Sequence, residues 1–138
     1  MGNYDDFIYS VVGLPFLDNG RGQEGYDCYG LVLAYYKRVC DYDLPDYQYR
    51  DNKNNQETIN QNIGSHFIEV PYRERKKNDL LLFVGEGGFL NHLGILITRD
   101  NYIHASRSHG VVVVSLLMHG KALLRGVYRL KAHRGILD

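Results

Sequence analysis

Five short β-prone runs crowd the second half of this chain: DLLLFV (79–84), HLGILI (92–97), NYIHAS (101–106), GVVVVS (110–115) and GVYRLK (126–131). Turn-forming residues separate them, which is the signature of a sheet built from short neighbouring strands. The first half has a different period. Phe7, Ile8, Val11 and Val12 fall on one side of a helix over 4–12, and Leu31, Val32, Tyr35 and Val39 make an apolar face on a helix that begins at Cys28. Helices first and strands second predict an α+β fold. A small antiparallel sheet or half-barrel packs on the cysteine helix, and residues 1–138 make one domain.

Two connections complete the outline. GLPFLDNGRGQEG (13–25) is glycine-rich and polar, hence a loop. Residues 41–65 are rich in Tyr, Asn and Asp and read as a long surface excursion with one helical turn near Glu57–Ile63. The basic run RERKK (73–77) reads as a solvated loop.

Charge narrows the function. Sixteen basic and sixteen acidic residues cancel, which is not the footprint of a nucleic-acid binder. The opening residues, MGNYDDFIYSVVGLPF, are acidic, with a short and broken apolar stretch unlike a signal peptide. No run reaches transmembrane length, so no membrane insertion is expected. Synthesis in the cytoplasm follows, with any outside role needing delivery by another route.

Two cysteines are too few for a disulfide framework. On one helix, Cys28 and Cys40 stand roughly 18 Å apart at 1.5 Å per residue, too far to bridge. Cys40 reads as a core or helix-end thiol. Cys28 differs, because Asp27 before it is a good N-cap. A thiol in a first helical turn feels the positive end of the macrodipole, which favours thiolate.

Of the six histidines, two fall in strands of one hairpin. A three-residue loop, Thr98–Asp100, pairs Ile97 with Asn101 and Gly94 with His104. His92 then lies diagonal to His104 on the same face, within side-chain reach. A two-residue loop would put the rings on opposite faces. A cysteine nucleophile needs a base, and the base needs a third group to fix its tautomer; Cys28, His92 and His104 fit those roles. His66, His109, His119 and His133 are assigned to surface or structure. The same three residues are conceivable zinc ligands, but no fourth protein ligand is evident. No cofactor or metal is expected.

DCYGLV (27–32), NHLGILI (91–97), NYIHAS (101–106) and GVVVVSL (110–116) together resemble the NlpC-type cell-wall cysteine peptidases, a papain-like family. KKNDLLLF (76–83) is similar to the family's Pro-Gly-Asp-Leu-Val-Phe-Phe stretch, with Asn78 in place of glycine. The resemblance implies Cys28 as nucleophile, His92 as general base and His104 as the residue that orients it. It implies cleavage of peptidoglycan stem or cross-link peptides, commonly between D-glutamyl and a diamino acid. Tyr29 stands where secreted relatives carry Ser or Gly, and resembles the phage tail-associated branch, as does the loop over 13–30. That branch implies a virion component, partnered by other tail proteins and acting in the host wall or periplasm. Many relatives place an oxyanion-stabilising tyrosine where this chain has Phe16; Tyr26 is a candidate substitute. Two further readings follow: a tail-tip or tail-assembly subunit that keeps the fold with a weak site, and an acyltransferase or amidase using the same triad.

Overall fold

The computed structural model describes residues 2–48 and 50–131. Three helices precede most of the sheet: α1 (Gly2–Val11), α2 (Cys28–Cys40) and α3 (Asn52–His66). Two two-residue strands, β1 (Arg21–Gly22) and β2 (Gly25–Tyr26), pair within the loop ahead of α2. Six strands make the main sheet: β3 (Phe67–Val70), β4 (Leu80–Val84), β5 (Leu90–Leu96), β6 (Asn101–Ser106), β7 (Gly110–Ser115) and β8 (Leu124–Leu130). Their order is β3-β8-β4-β5-β6-β7, with every pairing antiparallel. All five expected runs are strands, and the α+β expectation holds.

Alternation along the strands builds two cores. Leu80, Leu82, Leu93, Ile95, Ile103 and Ala105 face the helices and pack with Phe7, Leu31, Tyr35, Tyr36, Ile59 and Ile63. Leu81, Phe83, Leu96, Tyr102, Leu116 and Val127 form a second cluster. The β5–β6 register sets Ile95 opposite Ile103 and Leu96 opposite Tyr102. The Ile97 amide donates to the Asn101 carbonyl at 2.9 Å. This is the register of the three-residue loop, and one more step along it sets Gly94 against His104.

Asn78 has φ of 77°. Asparagine tolerates this left-handed conformation better than most residues, which explains how it serves where the resemblance expects glycine. It also ties helix to sheet: the Tyr35 hydroxyl donates to its side-chain oxygen at 2.5 Å and the Tyr36 hydroxyl to its carbonyl at 2.7 Å.

Two expectations are corrected. Residues 52–66 are a four-turn helix, not an excursion with one turn; the Asp51 carboxylate caps it by accepting from the Asn54 amide at 2.8 Å. Only Asn55, Ile59 and Ile63 of this helix are buried, one per turn, so its amphipathic signal is thin. The basic run is not wholly solvated either. Arg75 is buried; it pairs with Asp100 at 2.5 Å and lies 4.0 Å from the centre of the Tyr72 ring. Cys40 is a free, half-buried thiol ending α2, as expected.

Candidate active site

Asp27 organises the region. Its carboxylate accepts from the Gly30 amide at 2.7 Å, as an N-cap, from the Asn19 amide at 2.9 Å and from Arg21 at 2.8 Å. One side chain thus starts α2, fastens the preceding loop to it and takes a cation. Gly30 is required beside it: a Cβ there would lie 2.1 Å from the Gly20 carbonyl oxygen. The Asp-Cys-Tyr-Gly order is therefore largely packing chemistry around one thiol.

Cys28 is 9% exposed, in the first turn of α2. Its Sγ lies 3.5 Å from the Asn91 carbonyl oxygen. His92 Nε2 is 2.7 Å from His104 Nδ1, with the rings nearly perpendicular. Strand alternation sets both imidazoles beside Phe83 and Tyr102, whose rings contact His92 and His104 respectively. Cys28 arrives from the helix side. The two sides meet at a cavity of about 140 Å³ whose wall includes Cys28, His92, Phe16, Tyr29, Asn55 and Arg107.

The resting electrostatics differ from the thiolate expectation. Burial, reinforced by the Asp27 carboxylate, pushes the Cys28 thiol up to about 12, against the pull of the Leu93 and Tyr29 amides and Arg21. Burial and His104 hold His92 down to about 3; burial and His109 lower His104 to about 4. The free site is a neutral thiol beside neutral imidazoles. Helix position was legible in the sequence, whereas the depth of burial that outweighs the macrodipole was not.

With both rings neutral, one nitrogen of the His92–His104 pair donates and the other accepts. If His92 is to take a proton on Nδ1, its Nε2 must carry hydrogen and donate to His104 Nδ1.

Among the accessory residues, Phe16 and Tyr29 reach the cavity wall and Tyr26 does not; Tyr26 is packed in the main core. Phe16 is half-buried and carries the Arg107 guanidinium 4.5 Å from its ring centre. The Tyr29 ring packs at a 58° tilt against Tyr47, 4.7 Å between centroids. Its hydroxyl donates to the Pro45 carbonyl at 2.6 Å and accepts from Asn62 at 2.8 Å. The residue after the cysteine therefore anchors the 41–48 segment to α3.

Asn52, Asn55, Asn91, Glu86 and Arg107 also line the cavity and were not singled out in the sequence. Asn91, directly before His92, was the one within reach of a motif; α3 was hidden by its polarity. His66 bonds the Tyr42 hydroxyl at 2.8 Å, and His109 and His119 are exposed, as assigned; His133 lies outside the described residues. Among the described residues, no group of three or more His, Cys, Asp or Glu is arranged to hold a metal ion, and no helix is long and apolar enough to cross a membrane.

Residues 13–124 match the NlpC/P60 family, and the chain belongs to it. It is 32% identical over 113 residues to a probable endopeptidase, NlpC, of Escherichia coli K12, covering 81% of this chain and 66% of that one. It is 27% identical to a murein DD-endopeptidase/LD-carboxypeptidase, MepS, of the same strain, covering 75% and 48%. The chain thus spans about half to two thirds of these relatives. The NlpC/p60 domain of the peptidoglycan hydrolase SagA superposes with a TM-score of 0.64 at 22% identity, covering 93% of this chain and 96% of that one. A family member from Bacillus cereus superposes at 0.65 and 23% identity, covering 91% and 39%. At these identities the superpositions show the fold.

Proposed function

We propose that this domain is a thiol peptidase acting on peptidoglycan peptides, with Cys28 as nucleophile, His92 as general base and His104 as the residue that orients His92. The observation that carries it is the cavity on which Cys28 and His92 converge, with His104 bonded behind His92. Relatives named as endopeptidases and a peptidoglycan hydrolase support the substrate class.

The chemistry starts from neutral partners. Sγ attacks the scissile carbonyl carbon while His92 Nδ1 takes the thiol proton, and His104 steadies the new imidazolium through Nε2–H. The imidazolium then protonates the leaving amine as the C–N bond breaks. Water, deprotonated by neutral His92, releases the acyl group, and the proton returns to sulfur. Proton transfer accompanying attack spares the buried site a standing ion pair.

The bond we assign is the one between D-glutamyl and the diamino acid, and the place a phage tail acting in the host wall. Both rest on the motif resemblance, the second on Tyr29 and the loop around it. Phe16 has no hydroxyl to offer an oxyanion, which leaves backbone amides such as that of Cys28 for the task; a lost donor costs about 2.7–4 kcal/mol. The test is digestion of purified peptidoglycan with mass analysis of the products. Wild-type protein should release stem-peptide fragments, and Cys28→Ala should release none. Equal digestion by both proteins would remove Cys28 from the mechanism, and inactivity of both would favour the structural tail subunit.

A further inference from the structure

Arg107 is a basic residue on a cavity wall that otherwise carries Asp18, Asp27 and Glu86. It projects from the turn between β6 and β7, outside the three residues assigned to catalysis. Its guanidinium rests on the Phe16 ring and is 3.0 Å from Asp18 and 3.8 Å from Glu86. Phe16 and Asp18 belong to the loop after α1 and Glu86 to the β4–β5 connection, so with its own turn Arg107 ties three loops together at the mouth. The two arms are unequal. Asp18 is within hydrogen-bond distance, whereas Glu86 is held by charge alone. Both carboxylates and the guanidinium are about half exposed. Ion pairs this exposed are weak and exchange readily.

We propose that Arg107 is the residue that recognises a carboxylate on the peptide substrate, and that the incoming carboxylate displaces Glu86 from the guanidinium. The proposal rests on the peptidase reading above and names a feature of its substrate. A planar guanidinium suits a carboxylate, which it can grip through two parallel N–H···O bonds. The aromatic ring beneath, its centre 4.5 Å from the guanidinium carbon, holds the cation at the wall, so the fork stays presented at the mouth. Asp18, on the shorter arm, keeps the side chain from swinging into solvent during the exchange. In a stem peptide linked through the glutamyl side chain, the free α-carboxylate of that residue is the matching group. The competing Glu86 carboxylate makes a further demand: an amidated ligand offers the guanidinium only a neutral carbonyl acceptor in place of a charged partner, so the exchange discriminates acid from amide.

The experiment compares two synthetic stem peptides, one with a free glutamyl α-carboxylate and one with that group amidated. The readout is the acid-to-amide ratio of kcat/KM. Arg107→Gln should lower the ratio about tenfold by losing the charged pairing. Glu86→Gln should raise it, because the competitor for the cation is gone. Opposite shifts from two partners of one ion pair are not what loss of a merely structural clasp would produce. Ratios that fall together in both variants, or stay at the wild-type value, overturn the proposal. Calorimetric binding of the same peptides to Cys28→Ala separates this inference from the catalytic one. If acid peptide binds more tightly than amide, and Arg107→Gln in that background erases the difference, Arg107 has its role even where wild type cleaves neither peptide. Equal binding of both peptides, unchanged by Arg107→Gln, overturns it.

Discussion

At the scale of single residues, the protonation of the site is its most testable property. A buried Cys28 thiol at about 12 predicts slow alkylation at neutral pH and a rate that keeps climbing through pH 9. Mapping the modified peptide separates Cys28 from Cys40, itself raised to about 11 by burial. A plateau near pH 7 would show a preformed thiolate and contradict the neutral pair. Asp27→Asn should move the Cys28 profile to lower pH, because it removes the carboxylate that opposes thiolate beside the sulfur and leaves Arg21 as a stronger cation there. The diagonal approach of His92 and His104 was legible from hairpin register alone. The burial that sets their charge was not, because it depends on how deeply α2, Phe83 and Tyr102 enclose them. The same limit applied to Tyr26 and Phe16: sequence placed both near the cysteine, and only the packing shows which one reaches the cavity.

Elements carry the next set of expectations. α3 looks polar along its length, yet Ile59 is fully buried and Ile63 nearly so. Ile59→Ala should cost about 2–5 kcal/mol in denaturant unfolding; a neutral result would mean α3 is not docked. This helix was unreadable because its contribution to the core is one residue per turn, set among asparagines that favour turns and caps. The strands were readable for the opposite reason: β4 and most of β5 are buried on both faces, giving dense apolar runs such as DLLLFV, and β7 carries an unbroken β-branched run, GVVVVS. At the start of α2, Gly30→Ala forces a Cβ against the Gly20 carbonyl. Thermal unfolding should show a loss of about 3 kcal/mol or more, because backbone must move on both sides.

For the whole molecule, acid is the condition that separates folded from unfolded chains. His92 and His104 stay neutral in the fold well below the ordinary histidine range, while the unfolded chain binds those protons near pH 6.5. The unfolded state therefore holds more protons between about 6.5 and 3, and stability must fall as pH drops through that window. Replacing both histidines with asparagine should flatten this acid slope in a pH series of urea unfolding; an unchanged slope would place the protonation elsewhere. The sheet order has a different consequence. β8 sits between β3 and β4, so strands made early are joined by the last one. Pairings such as Phe67 with Leu130 span some sixty residues of chain, and contacts of that separation form slowly. During synthesis, β3 has no neighbour and β4 keeps one open flank until the residues near 130 leave the ribosome. A nascent chain stalled before Leu124 should therefore remain protease-sensitive and chaperone-bound, however complete its cysteine and histidines already are.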